Sequence, residues 1–444
     1  MLDRRRFLMA GALIAQAPAI LAQVSEGHAQ VTEYPEGVIA PYVWGEQPIP
    51  VSGTGAPEMQ SVDDHMMAAM RQHGIVGCGV CIVQKDRIVY EKGFGYAELP
   101  KSPFLPTTAT RCGSLAKAVT ALCALLLFDQ GKLDLDAPIL PILKEGGILP
   151  KPVGDSQMDS RVAQIKVRHL MDHTSGLPTI ATYTAWRQNR NVAALHHLKH
   201  VATGADVASD ALGNTTLASE PGAKYQYANA NFVLLARIVE AVTKKPFHDY
   251  LAHVAMARFG LKPEAIYVSR NQEHPDSTAR GKNEATYYQT SSERYVSFLP
   301  ADLSKGRVMG EAYLGYATEA SDGAGGIACT ATGLGTLLAN LHSATPVLSP
   351  NAMRQILTPP EHYTHEPHFH PTRSTFYSKG LNVRLSGGQP WFSHSGMTNH
   401  CGGMIGYHAG YQFVGVSNWN YAQSPYVDAM INRALTDALA HLGR

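Results

Sequence analysis

The sequence predicts an α/β fold of the α+β type, in which an antiparallel sheet is flanked by an N-terminal and a C-terminal helix and carries a mostly helical subdomain. Two observations predict it. Runs rich in β-branched residues lie near both ends of the chain, at 75–95 and 376–417. The long stretch between them shows helical periodicity and polar loops instead. Strands from both ends are expected to share one sheet, which the C-terminal segment completes.

The N-terminal half is predicted to begin with a helix and a hairpin. Apolar residues recur at helical spacing over 61–73 and stop at Gly74, which can end a helix in the left-handed conformation. Two β-branched runs, 75–84 and 87–95, are separated by two polar residues and therefore predict a hairpin. The segment 114–130 is apolar on nearly every face, which indicates a buried helix.

The rest of the chain is predicted to contain a helical insertion, several strands and a last helix. Residues 132 to about 315 contain helical stretches such as 231–243 and no clear strand. Apolar residues fall on one face over 427–442, which predicts the C-terminal helix. The strands predicted before it are 376–385, 391–395, 404–408 and 411–417, the last two joined by Ala409-Gly410.

The composition excludes several classes of protein. The 444 residues are 45% hydrophobic, enough to bury a core as one large domain or two modest ones. The 37 basic residues are balanced by 36 acidic ones, so no nucleic-acid partner is expected. Six cysteines in a chain of this length cannot form a dense disulfide scaffold.

The first residues are typical of an export signal. Arg4-Arg5-Arg6 precedes a weakly apolar stretch at 10–22, which is too short to span a membrane, and small residues follow at 27–29. Paired arginines before Phe-Leu favour the twin-arginine type, with residues 1–29 removed. Residues 30–59 then form an extended lead-in and 60–444 the main domain. The protein is expected to be periplasmic or secreted, without a stable membrane span.

A candidate nucleophile opens the predicted buried helix. In Ser114-Leu115-Ala116-Lys117 the hydroxyl and the ammonium group lie one turn apart on the same helix face. A buried lysine at an electropositive helix start has a lowered pKa, so its neutral amine can take the serine proton. An N-cap serine followed by a surface lysine has the same spacing, so this motif alone does not decide.

Two further motifs could complete a site. Tyr227-Ala228-Asn229 precedes the helix at 231–243, and residues two apart in an extended segment face the same way. His394-Ser395-Gly396 ends a predicted strand, where the glycine lets a ligand approach the backbone, and Met397 follows.

With these three motifs the sequence resembles the serine β-lactamase and penicillin-recognising family, especially its class C, DD-peptidase and esterase branch. The segments 131–138, 165–178 and 325–332 match the family in style, and the resemblance runs from about residue 60 to the C-terminus. It implies a β-lactamase/transpeptidase-like fold.

The resemblance also implies roles for the motif residues. Ser114 would be the acylated nucleophile, and either Lys117 or Tyr227 would be its base. Asn229 would bond a substrate amide or the lysine. His394, Ser395 and Gly396 would line the substrate site, and the backbone N–H groups of Ser114 and Met397 would form the oxyanion hole.

One motif departs from the family pattern, because His394 stands where many β-lactamases have a lysine. A permanent cation is thereby replaced by a group expected to be near half-charge at pH 6.5, which weakens the β-lactamase interpretation. The acidic residue usual after the segment 325–332 is also replaced, by Gly333.

The sequence therefore predicts an exported serine hydrolase that forms an acyl-enzyme on an ester, amide or peptide, without metal or cofactor. Esterase-like and D-amino-acid peptidase or amidase activity are the leading alternatives. A β-lactamase or acyltransferase of the same fold is the next. A non-catalytic paralogue that binds cell-wall peptide is the alternative from another class.

Other clusters receive structural interpretations. Prolines around His362, His365, His368 and His370 argue against a helical zinc site. The pair Cys78 and Cys81 is expected to pack on opposite faces of a strand. His173 resembles a structural residue of the family at a turn, and Ser175 is expected to be a cap and not a second nucleophile. A disulfide is open for the three cysteines beside the motifs, Cys112, Cys329 and Cys401. An acyl-pocket wall and simple loop packing remain equal alternatives for Tyr287, Tyr288, Tyr295, Tyr313 and Tyr316.

Overall fold

The computed structural model gives the fold of most of the chain. The predicted export signal lies outside the described residues, as does the lead-in up to residue 41. The structure describes residues 42–84, 86–154, 157–179, 192–193, 195–270, 283–288, 295–296, 308–309, 317–365, 370, 374–386, 389–398, 401–408, 413–419 and 427–439.

Groups of consecutive strands near both ends of the chain flank a mostly helical middle. The strands are β1 (Val51–Gly55), β2 (Gly77–Gln84), β3 (Arg87–Glu98), β4 (Ser102–Pro103), β5 (Ala109–Arg111), β6 (Ile266–Val268), β7 (Tyr295–Val296), β8 (Val308–Met309), β9 (Ile327–Thr330), β10 (Thr375–Ser378), β11 (Leu381–Ser386), β12 (Gln389–Thr398), β13 (Cys401–His408) and β14 (Phe413–Trp419). The helices are α1 (Gln60–His73), α2 (Ala116–Asp129), α3 (Ile139–Glu145), α4 (Val167–Met171), α5 (Gly204–Gly213), α6 (Asn229–Thr243), α7 (Phe247–Asp249), α8 (Met256–Arg258), α9 (Asp322–Gly325), α10 (Ala331–Leu341), α11 (Pro350–Leu357), α12 (Glu361–Thr364) and α13 (Val427–Leu439).

The main sheet joins the two ends of the chain. Its strand order is β1-β3-β2-β14-β13-β12-β11-β10, with β4 beside β3, and neighbouring strands are antiparallel. Strand β14 pairs with β2 from Phe413 opposite Gln84 to Trp419 opposite Cys78. The prediction that C-terminal strands complete an antiparallel sheet is therefore confirmed.

The two faces of this sheet bury separate clusters. Cys78 packs with Met66 of α1 and with Ile431 of α13, whereas Cys81 faces the larger cluster that contains α2. The two cysteines thus lie on opposite faces of β2, as predicted. Every residue of α2 from Ala116 to Leu127 is buried, which accounts for its apolar sequence on all faces.

Several predicted elements are observed with small shifts. Helix α1 ends at Gly74, whose φ of 63° is left-handed and whose N–H bonds the Met70 carbonyl. The hairpin of β2 and β3 is present, although β2 begins at Gly77 and β3 extends to Glu98. The C-terminal helix is observed over Val427–Leu439, and residues 440–442 of the prediction lie outside the described residues.

The predicted single strand at 376–385 is wrong, because this segment is the hairpin of β10 and β11. Its turn is formed by Lys379 and Gly380, with φ values of 48° and 78°. Two consecutive left-handed residues are what a tight type I′ hairpin turn requires. The unfavourable backbone of Lys379 is compensated by Asp172, which accepts hydrogen bonds from its N–H and its ammonium group.

The stretch at 132–315 also contains strands that the sequence pattern did not indicate. Strand β6 pairs with β9, which in turn pairs with β5 in a small three-stranded sheet. The pair β7 and β8 is separate. A three-residue strand is too short to show an alternating pattern. The domain limits and the extent of the insertion stay predictions, and the Ala409-Gly410 turn lies outside the described residues.

Candidate active site

The candidate nucleophile, Ser114, comes shortly after strand β5 of the small sheet. After β5 the chain turns through Gly113, whose φ is 52°, and forms a 3-10 turn at Gly113–Leu115 before α2 begins at Ala116. Ser114 therefore lies in a 3-10 turn, not at the start of an α-helix as expected. A methyl group on Gly113 would lie 2.4 Å from the backbone nitrogen of Met397, so only glycine fits between this turn and β12.

The side chains of Lys117 and Tyr227 meet at the Ser114 hydroxyl. Lys117 Nζ lies 3.0 Å from Ser114 Oγ, and the Tyr227 hydroxyl donates a 2.7 Å hydrogen bond to the same oxygen. Lys117 Nζ also lies 5.0 Å from the centroid of the Tyr227 ring. The structure thus brings together the serine, the lysine and the tyrosine that the sequence selected. Such convergence is the geometry that an activated nucleophile requires.

Burial sets the protonation of the two partners. The Lys117 side chain is inaccessible to solvent, and burial lowers the pKa of its ammonium group well below the usual range. Burial also raises the pKa of Tyr227 to about 12, although its hydrogen bond to Ser114 acts in the opposite direction. At neutral pH these directions favour a neutral amine and a protonated phenol, so the site does not favour the phenolate.

A backbone carbonyl orients the lysine, and the sequence analysis did not identify it. Lys117 Nζ donates a 2.6 Å hydrogen bond to the carbonyl of Ala324 in α9. One helical turn further along α2, the Thr120 hydroxyl donates to the carbonyl of Gly323 at 2.8 Å. These acceptors are main-chain atoms, so no side-chain motif could signal them. They lie directly before the segment 325–332 that matches the family in style.

His173 supports the segment that carries Tyr227. Its φ of 55° is left-handed, its ring lies 4.3 Å from the Tyr227 ring, and it is fully buried. Its Nδ1 accepts hydrogen bonds from the Ala228 N–H and from the Asn231 side chain. The Ser175 hydroxyl donates to the side-chain oxygen of Asn231 and accepts from the Leu177 N–H, so it caps a backbone N–H group two residues further along the chain.

The other two residues of the second motif follow Tyr227 into a helix. Ala228 is extended and Asn229 is the first residue of α6. The Asn229 side chain is buried. Its bonding to substrate or lysine stays a prediction.

The third motif lies on β12, directly against the nucleophile turn. His394 and Gly396 are buried, whereas Ser395 between them is exposed, as alternation along a strand requires. A methyl group on Gly396 would lie 2.3 Å from the backbone nitrogens of Ser114 and Leu115. The segments whose N–H groups are the predicted oxyanion donors, Ser114 and Met397, are therefore in contact.

His394 differs from the expectation of a half-charged group. Its Nδ1 lies 2.7 Å from the Ser395 carbonyl, and the Tyr377 hydroxyl lies 3.3 Å from its Nε2. A carbonyl only accepts, so Nδ1 carries the proton and a neutral ring accepts from Tyr377 at Nε2. Burial, together with Lys117 nearby, lowers the pKa of His394 to about 4. The expectation of partial charge at pH 6.5 is therefore wrong.

Two further aromatic rings, Tyr225 and Tyr377, lie beside the site. Tyr225 and Tyr377 pack at 5.6 Å, and each contacts the His173 ring. Tyr287 and Tyr288 are instead buried and bond to the backbone N–H groups of Arg111 and Leu99, so they pack the fold. For the other three tyrosines both alternatives stay open, because Tyr313, Tyr316 and the side chain of Tyr295 lie outside what the structure describes.

The described residues also bear on the cysteines and on the histidine cluster that the sequence singled out. All six cysteines are described and none forms a disulfide. Within the part of the chain that the structure covers, no group of three or more His, Cys, Asp or Glu side chains is placed to hold a metal ion, and His368 lies outside that part. The described helices include none that is both long and apolar enough to cross a bilayer.

Comparisons with known proteins agree with this geometry. The family model described as Beta-lactamase matches residues 62–438. Penicillin-binding protein 4* of Bacillus subtilis (strain 168) is 29% identical over 225 residues, which are 49% of this chain and 43% of that protein. The chain thus matches less than half of the length of its curated relatives.

Two solved structures share the fold at low identity. EstCE1, a hydrolase with promiscuous acyltransferase activity, is 19% identical with a TM-score of 0.58, covering 86% of this chain and 100% of EstCE1. A D-stereospecific amidohydrolase from Streptomyces sp. is 21% identical with a TM-score of 0.57, covering 85% of this chain and 98% of that one. Since the family match extends over most of the sequence, the chain belongs to the Beta-lactamase family and has its β-lactamase/transpeptidase-like fold.

Proposed function

We propose that this protein is a serine hydrolase that forms an acyl-enzyme on Ser114 and hydrolyses an ester or an amide. The observation that carries the proposal is the convergence of Lys117 Nζ and the Tyr227 hydroxyl on Ser114 Oγ, at 3.0 and 2.7 Å. The burial of both partners supports it further, because it favours the neutral amine that can accept a proton.

Acylation then follows from the positions of these groups. Ser114 Oγ attacks the substrate carbonyl carbon while its proton passes to the neutral Lys117 amine. The negative charge that develops on the carbonyl oxygen is stabilised by the backbone N–H groups of Ser114 and Met397. When the intermediate collapses, the leaving alkoxide or amine takes the Tyr227 phenol proton, and protonated Lys117 returns a proton to the phenolate.

Deacylation uses the same groups in reverse. A water molecule near the Tyr227 hydroxyl and the Lys117 amine gives up a proton to the lysine as its oxygen attacks the acyl carbon. Collapse of the second intermediate breaks the bond to Ser114 Oγ, and the proton returns to that oxygen. Replacing the water by an alcohol or an amine would give acyl transfer by the same route.

The surroundings of His394 favour an acyl donor without a carboxylate. Both ring nitrogens are already engaged, by Ser395 and by Tyr377, and the ring is buried. The residue that replaces the family lysine therefore offers no cation to a substrate carboxylate, unlike the lysine of many β-lactamases. We accordingly favour esterase or D-amino-acid amidase activity over β-lactamase activity. The esterase-like and amidohydrolase relatives of the same fold are in line with this choice.

Covalent labelling tests the proposal. The protein is incubated with a fluorophosphonate, and intact mass is measured. A single adduct is expected on the wild type and none on Ser114→Ala. An unlabelled wild type, or an adduct that persists in Ser114→Ala, would contradict catalysis and favour the non-catalytic cell-wall binding paralogue.

A substrate panel then separates the activities. p-Nitrophenyl esters, D-amino-acid amides, D-alanyl peptides and a chromogenic cephalosporin are compared by kcat/KM. Turnover of the esters or amides that lack a carboxylate is expected to exceed that of the cephalosporin. If the cephalosporin is the best substrate, the preference for acyl donors without a carboxylate is wrong.

We also propose that residues 1–29 export the protein through the twin-arginine route. The motif Arg4-Arg5-Arg6 before Phe7-Leu8 supports it. Replacing the three arginines by lysine should retain the protein in the cytoplasm, measured by fractionation and immunoblot. Unchanged export of that variant would contradict the proposal.

A further inference from the structure

Helix α9 lies between the two helices that flank the candidate catalytic residues. On one side, the Lys117 amine and the Thr120 hydroxyl of α2 donate to the carbonyls of Ala324 and Gly323. The two donors are one helical turn apart, and their acceptors are consecutive. The position of α9 therefore determines where the Lys117 amine is held.

On its other side, α9 is fixed to α6. The Asp322 carboxylate accepts a hydrogen bond from the Arg237 guanidinium, and its second oxygen accepts from the Gly323 N–H at 2.6 Å. A methyl group on Gly323 would lie 2.5 Å from the Phe232 carbonyl, so the two backbones are in close contact. The ion pair thus joins α6, which follows the Tyr227 segment, to the helix that orients Lys117.

The guanidinium of Arg237 is almost completely buried. Glu240 Oε2 lies 2.9 Å from its Nε, and a methyl group on Gly204 would lie 2.0 Å from its Nη1. Arg237 and Asp322 are 5% and 6% exposed. Apolar residues of similar volume often stabilise a fold as well as a buried ion pair does, so stability alone is a weak reason for this pair.

We infer that Arg237 and Asp322 are a positioning pair for the proposed reaction: they hold α9 so that the Ala324 carbonyl keeps the Lys117 amine within reach of Ser114. Neither residue touches the reacting atoms. The carbonyl engages one N–H of the amine, which leaves the nitrogen lone pair for the serine proton. This inference rests on the proposed acyl-enzyme function.

The test measures the reactivity of Ser114 separately from folding. Titration with a fluorophosphonate gives the fraction of molecules that label, and the labelling rate constant of that fraction is followed from about pH 5 to about pH 9. Asp322→Asn should lower the rate constant about 10- to 100-fold. In the plot of the labelling rate constant against pH, the rising limb should move to higher pH. The reason is that a displaced α9 admits water to Lys117, and a hydrated amine keeps its proton to higher pH.

Two further variants keep the test decisive. Arg237→Lys retains the charge without the planar fork and should show a smaller change in the same direction, so it decides the matter if Asp322→Asn does not fold. Asp63→Asn removes a carboxylate of similar burial, which lies in α1 and binds Tyr90 and Lys92 of β3. It should lower the melting temperature and leave the rate constant and the limb unchanged.

The outcomes are distinguishable. A wild-type rate constant and limb in the folded Asp322→Asn or Arg237→Lys protein would overturn the positioning role. A shift of the limb in Asp63→Asn equal to that in Asp322→Asn would also overturn it, because general destabilisation would then explain both. A wild type that does not label overturns the proposed function itself.

Discussion

The Tyr227 hydroxyl donates a 2.7 Å hydrogen bond to Ser114 Oγ across 113 positions of sequence. Its ring packs on His173 in the same region, so the phenol is held by its face as well as by its hydroxyl group. This separates two contributions of the tyrosine that mutation can test, namely the proton it supplies and the packing it provides.

Tyr227→Phe should lower kcat/KM about 100- to 1000-fold and leave the melting temperature nearly unchanged, because the ring contact with His173 remains while the proton donor is lost. Steady-state kinetics on the best p-nitrophenyl ester and thermal unfolding measure the two effects. Tyr250→Phe is the matched control, since the Tyr250 hydroxyl is buried with no hydrogen-bond partner among the described residues and its loss should not lower kcat/KM. Equal kinetics of Tyr227→Phe and wild type would contradict the proton-transfer role.

Lys117→Met should abolish labelling of Ser114 and also change the pH dependence of stability. The pKa of Lys117 is lowered on folding, so the unfolded chain binds the extra proton and wild-type stability rises with pH up to about 10.5. The free energy of unfolding of wild type relative to Lys117→Met should therefore increase by about 1.4 kcal/mol per pH unit in that window. Urea titrations at about pH 8 and about pH 9.5 measure it. Parallel profiles for the two proteins would mean that Lys117 is charged in the fold.

Gly396→Ala should disrupt the contact between β12 and the nucleophile turn. The new methyl group would lie 2.3 Å from backbone atoms that cannot rotate away, so the strand must shift. We expect about 100-fold slower labelling and a loss of about 1–3 kcal/mol in stability. Gly131→Ala is the control: Gly131 has a φ of 66° with no atom within 4 Å of the added methyl group, so it should lose about 1 kcal/mol and label normally. Normal labelling of Gly396→Ala would show that the turn tolerates the shift.

His394→Gln should make the protein less sensitive to acid. Burial lowers the pKa of His394 to about 4. Between about pH 6.5 and pH 4 the unfolded chain therefore binds a proton that the folded protein does not, and the stability of the fold decreases as pH falls. The wild type should lose up to about 3 kcal/mol from this group over that range, and the variant should not. His169 and His173 have lowered pKa values as well and add a similar loss to both proteins. An identical acid dependence of the two proteins would mean that His394 titrates normally.

The reactive side chains of the site could be predicted, but their supports could not. Ser114, Lys117 and Tyr227 lie in short motifs because their chemistry requires particular side chains at fixed spacing. The Ala324 carbonyl acts through the backbone, and the Tyr377 bond to His394 joins two strands through a contact that no local pattern encodes. The charge of His394 could not be predicted for the same reason, because the burial of its ring depends on neighbours distant in sequence.

The fold was predictable where the pattern is local. Helix α1 and the hairpin of β2 and β3 show their periods in the sequence itself. The turn at Lys379 could not be identified, because its left-handed lysine is stabilised by Asp172, 207 positions away. Strand β6 is three residues long and exists through its pairing with β9.

The position of β14 between β2 and β13 has a consequence for how the chain matures. Strand β2 is buried on both faces from Gly77 to Val83. One of its edges pairs with β3, but the partner of its other edge, β14, is synthesised only when Phe413–Trp419 emerge. Until then its apolar edge has no pairing strand, and unpaired edges of this kind template association between chains. Products of premature termination should accordingly accumulate in inclusion bodies or be degraded, even when they contain every residue of the catalytic motifs.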